Sequence, residues 1–281
     1  MNTGNHFRFE SSTDLQGVKV LTANMHDFSY DKHAHEEYSL GVTVQGRQDF
    51  FCCRRFHKSP PGGVMLFNPD DVHDGHSGGT TDLSYVMTYI HPRALHAPFL
   101  ALGVKPDHTL RIEGVLFDDL VMKQQILMLT RMINSGYHSK IEQELSLFRL
   151  AHTLVKKSGA LHEATPQRRQ DTLLTRAKEF INSQYQNNLS IDDIAAVASM
   201  SKYHFIRLFR AQFGITPHQY VVNCRINGAQ KALESGLPAT AVAQMFCFAD
   251  VSHMNRRFKK LYGMTPKQYQ NQLTLTADTQ R

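Results

Sequence analysis

The chain has 281 residues, of which 20% are charged and 10% aromatic, and a formal net charge of +6 at pH 7. This length is sufficient for two domains of ordinary size, each with its own core. No apolar run approaches the ~18–20 residues that a membrane span requires, and the polar segment 1–8 lacks the apolar core of a secretory signal. We therefore expect a cytoplasmic protein with no membrane partner. The four cysteines show no Cys-x-x-Cys spacing, which favours free thiols over a zinc site.

The positive charge is concentrated in the second half of the chain. Residues 1–158 hold 16 Lys and Arg against 17 Asp and Glu, whereas residues 159–281 hold 15 against 8. Of the 16 histidines, 12 lie in the first half. A strongly basic domain is the electrostatic pattern expected of a DNA binder. We predict a sensor domain over 1–158, a polar linker over 159–171 and a DNA-binding domain over 172–281.

From about Leu15 to Pro92 the sequence is typical of short β-strands separated by Gly and Pro. Long helices are not indicated there, so the pattern predicts an all-β sandwich or barrel. The predicted strands are the apolar or alternating segments Val18–Thr22, Tyr38–Val44, Gln48–Cys53, Val64–Phe67 and Leu83–Ile90.

Helical periodicity begins after Pro92. It predicts one helix over Phe117–Ile133 and a second over Ser139–Lys157, where Ser139 and Glu142 have the spacing of a capping box. Their apolar faces are wider than a lone surface helix needs. Two interpretations stay open, because such helices can cover one face of the sheet or can form a dimer interface.

Three histidines flank the predicted strands. His33 and His35 precede the Tyr38 strand, and His73 follows the Val64–Phe67 strand. Three imidazoles with open coordination positions can hold zinc, iron or copper, and the same rings can line a pocket for an organic ligand. We favour the organic ligand and expect no cofactor, with a metal on the three histidines as the alternative. The candidate ligand-binding residues are His33, His35, Tyr38, Asn68 and His73.

The second half contains a repeated unit, which runs from Leu189 to Tyr220 and again from Leu237 to Tyr269. The openings of the two copies are offset by 48 residues and their closings by 49, so one extra residue lies in the turn of the second copy. Each copy is interpreted as a small-residue helix, a tight turn and a basic helix. A long helix that begins at Thr216-Pro217 separates the two units.

The second helix of each copy has the chemistry of a major-groove recognition helix. The pattern predicts Ser190 as the N-cap of the first helix of the first copy and Ser252 as the N-cap of the second helix of the second copy. In both second helices the apolar face is expected inward and the basic face outward. Arg, Asn and His can bond base edges, while Lys and Ser can hold phosphates. We predict base contacts from Tyr203, His204, Arg207, His253, Asn255 and Arg256, and phosphate contacts from Ser201, Lys202, Ser252, Lys259 and Lys260.

Residues 172–272 resemble the DNA-binding domain of the AraC/XylS family of bacterial transcription regulators. The resemblance is most specific over 248–260, which reads FADVSHMNRRFKK, and over 263–269, which reads GMTPKQY. Cys247 stands where the family usually has Gly, and Met254 where it usually has Phe. These substitutions affect local packing rather than the fold.

The resemblance implies an N-terminal cupin-like sensor, a small-molecule effector, a homodimer, two adjacent major grooves of double-stranded DNA per subunit, and activation through RNA polymerase. His33, His35 and His73 match the histidines of the two cupin motifs. The cupin Glu has no counterpart, since Glu36 and Glu37 come too early and Ser39 or Leu40 stands in its place. Two alternatives are a metal-dependent cupin enzyme fused to a DNA-binding module, and an unliganded regulator whose barrel serves only for dimerisation.

Overall fold

The computed structural model describes residues 4–105, 110–136, 138–158 and 169–278. They form two compact units, a β-rich unit built mainly from 4–158 and a helical unit built mainly from 169–270. The predicted fold class, a β-domain with flanking helices followed by an all-α domain with two helix-turn-helix units, is confirmed. Within the described ranges, no helix combines the length and the apolarity that crossing a bilayer requires.

The strands of the β-rich unit form two sheets. The larger has the order β1-β2-β9-β4-β7-β10 with antiparallel neighbours, and the smaller has the order β3-β8-β5-β6. In the described chain the strands are β1 (His6–Ser11), β2 (Val18–Met25), β3 (Ser29–His33), β4 (Tyr38–Gln45), β5 (Gln48–Cys52), β6 (Arg55–Ser59), β7 (Val64–Phe67), β8 (His73–Ser77), β9 (Leu83–Ile90) and β10 (Leu116–Phe117).

The five predicted strands all exist, and β7 and β9 have the predicted bounds. The sequence pattern missed β1, β3, β6, β8 and β10. Strands β3, β6 and β8 carry mostly polar side chains, so they lack the apolar signal on which strand prediction relies. They are strands because they pair with distant segments, as β8 pairs with β5 across more than twenty residues.

The larger sheet has two apolar faces. One face packs against α1 (Pro92–Ala101), α2 (Leu120–Ser135) and α3 (Lys140–Lys157), through residues such as Leu40, Leu66, Ile126 and Leu150. The opposite face meets the smaller sheet, where the ring centroids of Phe50 and Phe67 lie 5.3 Å apart. The helices therefore cover the sheet, as one of the two sequence interpretations expected.

Methionine side chains fill the interior of the barrel beside Gly41. A Cβ there would lie 2.7 Å from the terminal methyl of Met87 and 3.0 Å from that of Met65, on the two neighbouring strands. Methionine is flexible and fills irregular gaps, so the absence of a side chain at 41 lets two long side chains meet. A layer of packed side chains therefore crosses the middle of the barrel.

The helical unit contains the predicted repeat. Its helices are α4 (Arg169–Gln184), α5 (Ile191–Val197), α6 (Lys202–Phe213), α7 (Pro217–Glu234), α8 (Ala239–Met245), α9 (Val251–Tyr262) and α10 (Pro266–Asp278). Helices α5 and α8 are offset by 48 residues and α6 and α9 by 49, so the extra residue lies in the second turn as predicted.

Three of the predicted helix starts are confirmed. Ser139, Ser190 and Thr216 each form a capping box with the residue three positions on, and Pro217 occupies the first turn of α7. The prediction that Ser252 caps α9 is wrong. Asp250 is the N-cap, and its carboxylate accepts a hydrogen bond of 2.5 Å from the backbone N–H of His253. Ser252 instead lies in the first turn, because the helix that Asp250 caps already begins at Val251.

Candidate nucleic-acid interface and ligand site

The two helix-turn-helix units have nearly the same aromatic core. In the first, the ring of Phe209 lies 4.6 Å from Phe213 and 5.8 Å from Tyr220 between centroids. The equivalent distances in the second are 4.5 Å from Phe258 to Tyr262 and 5.6 Å from Phe258 to Tyr269. Equal spacing of equivalent rings shows that α6 and α9 are anchored in the same way. The faces opposite these rings are therefore equivalent surfaces.

The predicted contact residues lie on those outer faces. Tyr203 is 83% exposed, which is unusual for a large aromatic side chain without a binding role. His253 and Asn255 are half-buried. The other predicted residues are exposed, namely Ser201, Lys202, His204, Arg207, Ser252, Arg256, Lys259 and Lys260. All eleven predicted residues thus lie on α6, on α9 or, for Ser201, directly before α6.

Local contacts position several of these side chains. The ammonium of Lys202 donates to the Asp192 carboxylate at 2.8 Å, and the Arg207 guanidinium lies 3.2 Å from the His204 ring. Ser201 is the N-cap residue of α6, yet its hydroxyl makes no capping hydrogen bond. An N-terminus with unsatisfied N–H groups and a nearby hydroxyl is a suitable site for a phosphate.

His218 on α7 lies near basic side chains of both α7 and α9. Burial lowers the pKa of His218, and the nearby Arg257, Arg225 and His253 lower it further. His218 is therefore a neutral ring in a positive environment at pH 7. The sequence reasoning did not single it out, because it lies on α7 and outside both basic helices.

Arg225 was also missed, and it links the two repeats. Its guanidinium donates to the carbonyls of Tyr185 at 2.9 Å, Asn187 at 2.9 Å and Cys247 at 3.2 Å. The first two carbonyls precede α5, and the third lies in the turn of the second unit. One side chain on α7 thus bridges the segments that position both units. No sequence pattern reveals such a role, since all three partners are backbone atoms.

The three predicted histidines come together at one end of the barrel. His33, His35 and His73 are buried, and one ring nitrogen from each lies within 4.8 Å of the others. The Nδ1 of His33 donates to the carbonyl of Asp31 at 2.6 Å, and that of His73 to the carbonyl of Asp71 at 2.8 Å. These bonds place a hydrogen on Nδ1 of both rings, so in the neutral form of each ring the lone pair is on Nε2.

Aromatic rings and an unsatisfied hydroxyl surround this histidine cluster. The His73 ring stacks on Phe67 with 3.8 Å between centroids, and the His35 ring meets the edge of Tyr89 at 5.0 Å. Ser39 is in register with both Phe67 and Tyr89, and its buried hydroxyl bonds to no described residue. A buried polar atom without a partner is rare and calls for an explanation.

Tyr38 and Asn68 form hydrogen bonds with backbone atoms of the segment around 110–112. The Tyr38 hydroxyl donates to the carbonyl of Leu110, and burial raises its pKa to about 12. The Asn68 side chain donates to the carbonyl of Ile112 at 3.1 Å and accepts from its N–H at 2.8 Å. Both side chains thus tie the segment around 110–112 to the barrel.

Comparison with known proteins identifies both domains. A family model described as Helix-turn-helix domain matches residues 194–272, and one described as AraC-like ligand binding domain matches residues 16–151. The uncharacterized HTH-type transcriptional regulator YbfI of Bacillus subtilis is 29% identical over 226 residues, which cover 80% of this chain and 81% of the relative. The arabinose operon regulatory protein of Escherichia coli K12 is 25% identical over 277 residues, covering 91% and 88%.

A solved structure shares the fold over nearly the whole chain. An apo variant of ToxT from Vibrio cholerae superposes with a TM-score of 0.60 at 15% identity, covering 92% of this chain and 98% of that one. The two matched family models together define a transcription regulator with a ligand-binding domain and a helix-turn-helix domain. The chain belongs to the AraC/XylS family and is an AraC-type transcriptional regulator.

Proposed function

We propose that α6 and α9 read double-stranded DNA in two adjacent major grooves, and that the predicted side chains make the contacts. The observation that supports this most is the equal anchoring of the two helices by equivalent rings, with basic and amide groups outward. Base contacts come from Tyr203, His204, Arg207, His253, Asn255 and Arg256. Phosphate contacts come from Ser201, Lys202, Ser252, Lys259 and Lys260.

Two variants of α9 test this assignment. We expect Arg256→Ala to weaken binding to the operator by ~1–3 kcal/mol and to leave binding to random DNA nearly unchanged. Lys260→Ala should weaken binding to both DNAs alike and reduce the salt slope by ~1. Binding is measured by fluorescence anisotropy at several salt concentrations. Equal losses from both variants on both DNAs would contradict the division of roles.

The histidine cluster is the proposed effector site. An organic effector with a polar group can bond the Ser39 hydroxyl and the rings of His33, His35 and His73, and can stack on Tyr89. Tyr38 and Asn68 remain predicted contacts, and both form hydrogen bonds with the segment around 110–112. A ligand that prefers one arrangement of this segment would thereby control the regulator.

A thermal-shift screen of the full chain against metabolites tests the effector site. A compound that binds only the folded state stabilises it by ~2.7 kcal/mol at a hundredfold excess over its dissociation constant. We expect a hit whose shift is lost in His35→Ala and reduced in Ser39→Ala. Tyr203→Ala, on α6, is the matched control and should keep the full shift. A shift that persists in both barrel variants would place the ligand elsewhere.

The metal-binding alternative depends on the same cluster. The Nδ1 bonds of His33 and His73 fix the tautomer that a metal ligand requires, and this favours a metal-responsive regulator as a second candidate. Adding Co²⁺ should then produce visible absorption that His73→Ala removes. A metabolite hit without such absorption would favour the organic effector. With the family established, we propose a regulator and no enzymatic turnover, which an assay with iron-loaded protein can check.

The exposed side of α3 is the proposed dimer interface. Ile141, Leu145 and Phe148 are at i, i+4 and i+7, and they remain 76%, 48% and 37% exposed. They line a groove of about 620 Å³ between α3, α1 and the 14–16 segment, suited to a helix from a second copy. We expect Leu145→Glu to shift the sedimentation coefficient from dimer to monomer. His152→Glu, also exposed on α3, should leave the dimer intact.

The proposed output is activation of transcription through contact with RNA polymerase in the cytoplasm, where the DNA lies. Transcription in vitro with purified polymerase tests this. We expect the operator template to give more transcript with the regulator than without it. Less transcript would identify a repressor.

A further inference from the structure

A pair of adjacent cysteines lies at the end of the β5–β6 hairpin. Cys52 and Arg55 form the last pair of the ladder, so Cys53 and Arg54 make a two-residue turn, with φ angles of 52° and 64°. This backbone brings the sulfurs of Cys52 and Cys53 within 3.5 Å. Cys52 is buried and Cys53 is exposed. The pair is therefore preorganised and one of its members is open to solvent.

A carboxylate completes the group. One oxygen of Asp71 and the two sulfurs all lie within 4.8 Å of one another. Asp71 Oδ2 accepts from the backbone N–H of Asn68 at 2.9 Å and from its side-chain amide at 3.0 Å, while Oδ1 accepts from Arg111. Such bonds hold the carboxylate in place, and Oδ1, which accepts only the bond from Arg111, keeps a second lone pair.

The pair is better suited to binding a cation than to forming a disulfide. Adjacent Cα atoms are about 3.8 Å apart across a trans peptide, below the roughly 4.4–6.8 Å that disulfides span. Both cysteines are free thiols. The two sulfurs lie within hydrogen-bond distance of each other, so the pair already places two soft ligand atoms side by side.

The distances and charges fit a divalent ion. Two sulfurs 3.5 Å apart, each at the Zn–S distance of about 2.3 Å, subtend an angle of roughly 100° at the metal, close to tetrahedral. Two thiolates, the Asp71 carboxylate and the Arg111 guanidinium carry a net charge of −2, which one divalent cation neutralises. Thiolate ligands select soft and borderline metals over Mg²⁺ and Ca²⁺.

We propose that Cys52, Cys53 and Asp71 form a binding site for a thiophilic divalent cation, Zn²⁺ or Cd²⁺, separate from the histidine cluster. Two metal–sulfur bonds form as the two thiols release their protons to solvent. The carboxylate supplies the third ligand, and water fills the open position on the exposed side of Cys53. The site makes the sensor domain responsive to metals through thiolates rather than imidazoles.

Cadmium titration of the full-length protein, reduced with a phosphine and freed of metal, tests the site. Cadmium–thiolate bonds give an ultraviolet charge-transfer band that imidazole ligands do not give. We expect one equivalent of Cd²⁺ per chain to saturate the band, and Zn²⁺ to remove it by displacement. Cys53→Ser should weaken binding at least tenfold. Asp71→Asn should weaken binding while the band remains.

Three controls keep the result unambiguous. Cys52 is buried, so the exposed Cys53 is the principal site of substitution, and circular dichroism checks that each variant is folded. The double variant Cys224→Ser/Cys247→Ser removes the other two thiols and should keep the band. His35→Ala should keep it too. No band at stoichiometric Cd²⁺, or a band that survives Cys53→Ser at full strength, would overturn the proposal.

Discussion

Replacing Arg225 should loosen both helix-turn-helix units at once. Its guanidinium donates to three carbonyls, those of Tyr185, Asn187 and Cys247, which belong to segments far apart in sequence. Arg225→Met keeps the apolar stem and removes all three donors. The carbonyls then lose the partner that holds the chain before α5 and the turn before α9. We therefore expect a loss of stability and a loss of DNA binding together.

The magnitude follows from the number and the exposure of these bonds. A hydrogen bond from a charged donor contributes ~1.5–3 kcal/mol where it is shielded from water. The Tyr185 bond is part-buried, whereas the bonds to Asn187 and Cys247 are exposed, so water can replace the lost donor there. One bond near full strength and two that are discounted give a loss of about 2–4 kcal/mol in the free energy of unfolding.

The assay compares variants of the full chain by denaturant unfolding and by DNA binding. Arg225→Lys keeps the charge, but a single ammonium nitrogen cannot reach all three carbonyls as the guanidinium does. The Arg225→Lys protein should therefore lose nearly as much stability as the Arg225→Met protein. Arg207→Met, on the exposed face of α6, should weaken DNA binding without changing the unfolding midpoint. An Arg225→Met protein with the wild-type midpoint, or full rescue by Arg225→Lys, would refute the bridging role.

Three further predictions concern single positions. Gly228→Ala should destabilise the helical unit by about 1–3 kcal/mol in melting experiments despite its better helix propensity, because a Cβ there would lie 2.5 Å from the Phe246 ring; an unchanged melting point would show that the ring moves aside. Cys247→Gly should stabilise the fold by roughly 0.5–1 kcal/mol, since Cys247 has a φ of 53°; destabilisation would mean that its thiol matters more than its backbone. The hydrogen bond from Lys157 lowers the pKa of Asp119, so its stabilising effect is complete above about pH 4 and is lost as the pH falls through the lower folded-state pKa. Asp119→Asn should therefore melt below wild type at pH 7, with the difference shrinking in acid; a constant difference would exclude the charge as its cause.

Local signals in the sequence predicted several helix starts well. Helix caps depend on residues three positions apart, so the boxes at Ser139, Ser190 and Thr216 could be read from the sequence and are confirmed. The wrong prediction at Ser252 also came from a local signal in the sequence. Asp250 and Ser252 are both good N-caps, and the structure shows that Asp250 makes the capping hydrogen bond.

The structure gives a physical reason why the family usually has Gly at position 247, where this chain has Cys. Cys247 and Ser199 are equivalent residues in the two turns, and both have left-handed backbones, with φ of 53° and 54°. Glycine is favoured in this region because it has no Cβ. The sequence indicated an unusual residue there, but the backbone angle shows that the cost is conformational.

The sequence by itself determined the class of protein, the repeat with its extra residue, the basic recognition helices and most of the long strands, because these depend on periodicity, caps and charge along the chain. Only the tertiary structure decided what crosses between distant segments. It showed that Arg225 bridges the two helix-turn-helix units and that Asp71 lies beside the Cys52–Cys53 pair. It also showed that Ser39 is in register with Phe67 and Tyr89, whose rings contact His73 and His35. These groupings depend on strand register and helix packing, which bring together residues that no sequence spacing relates.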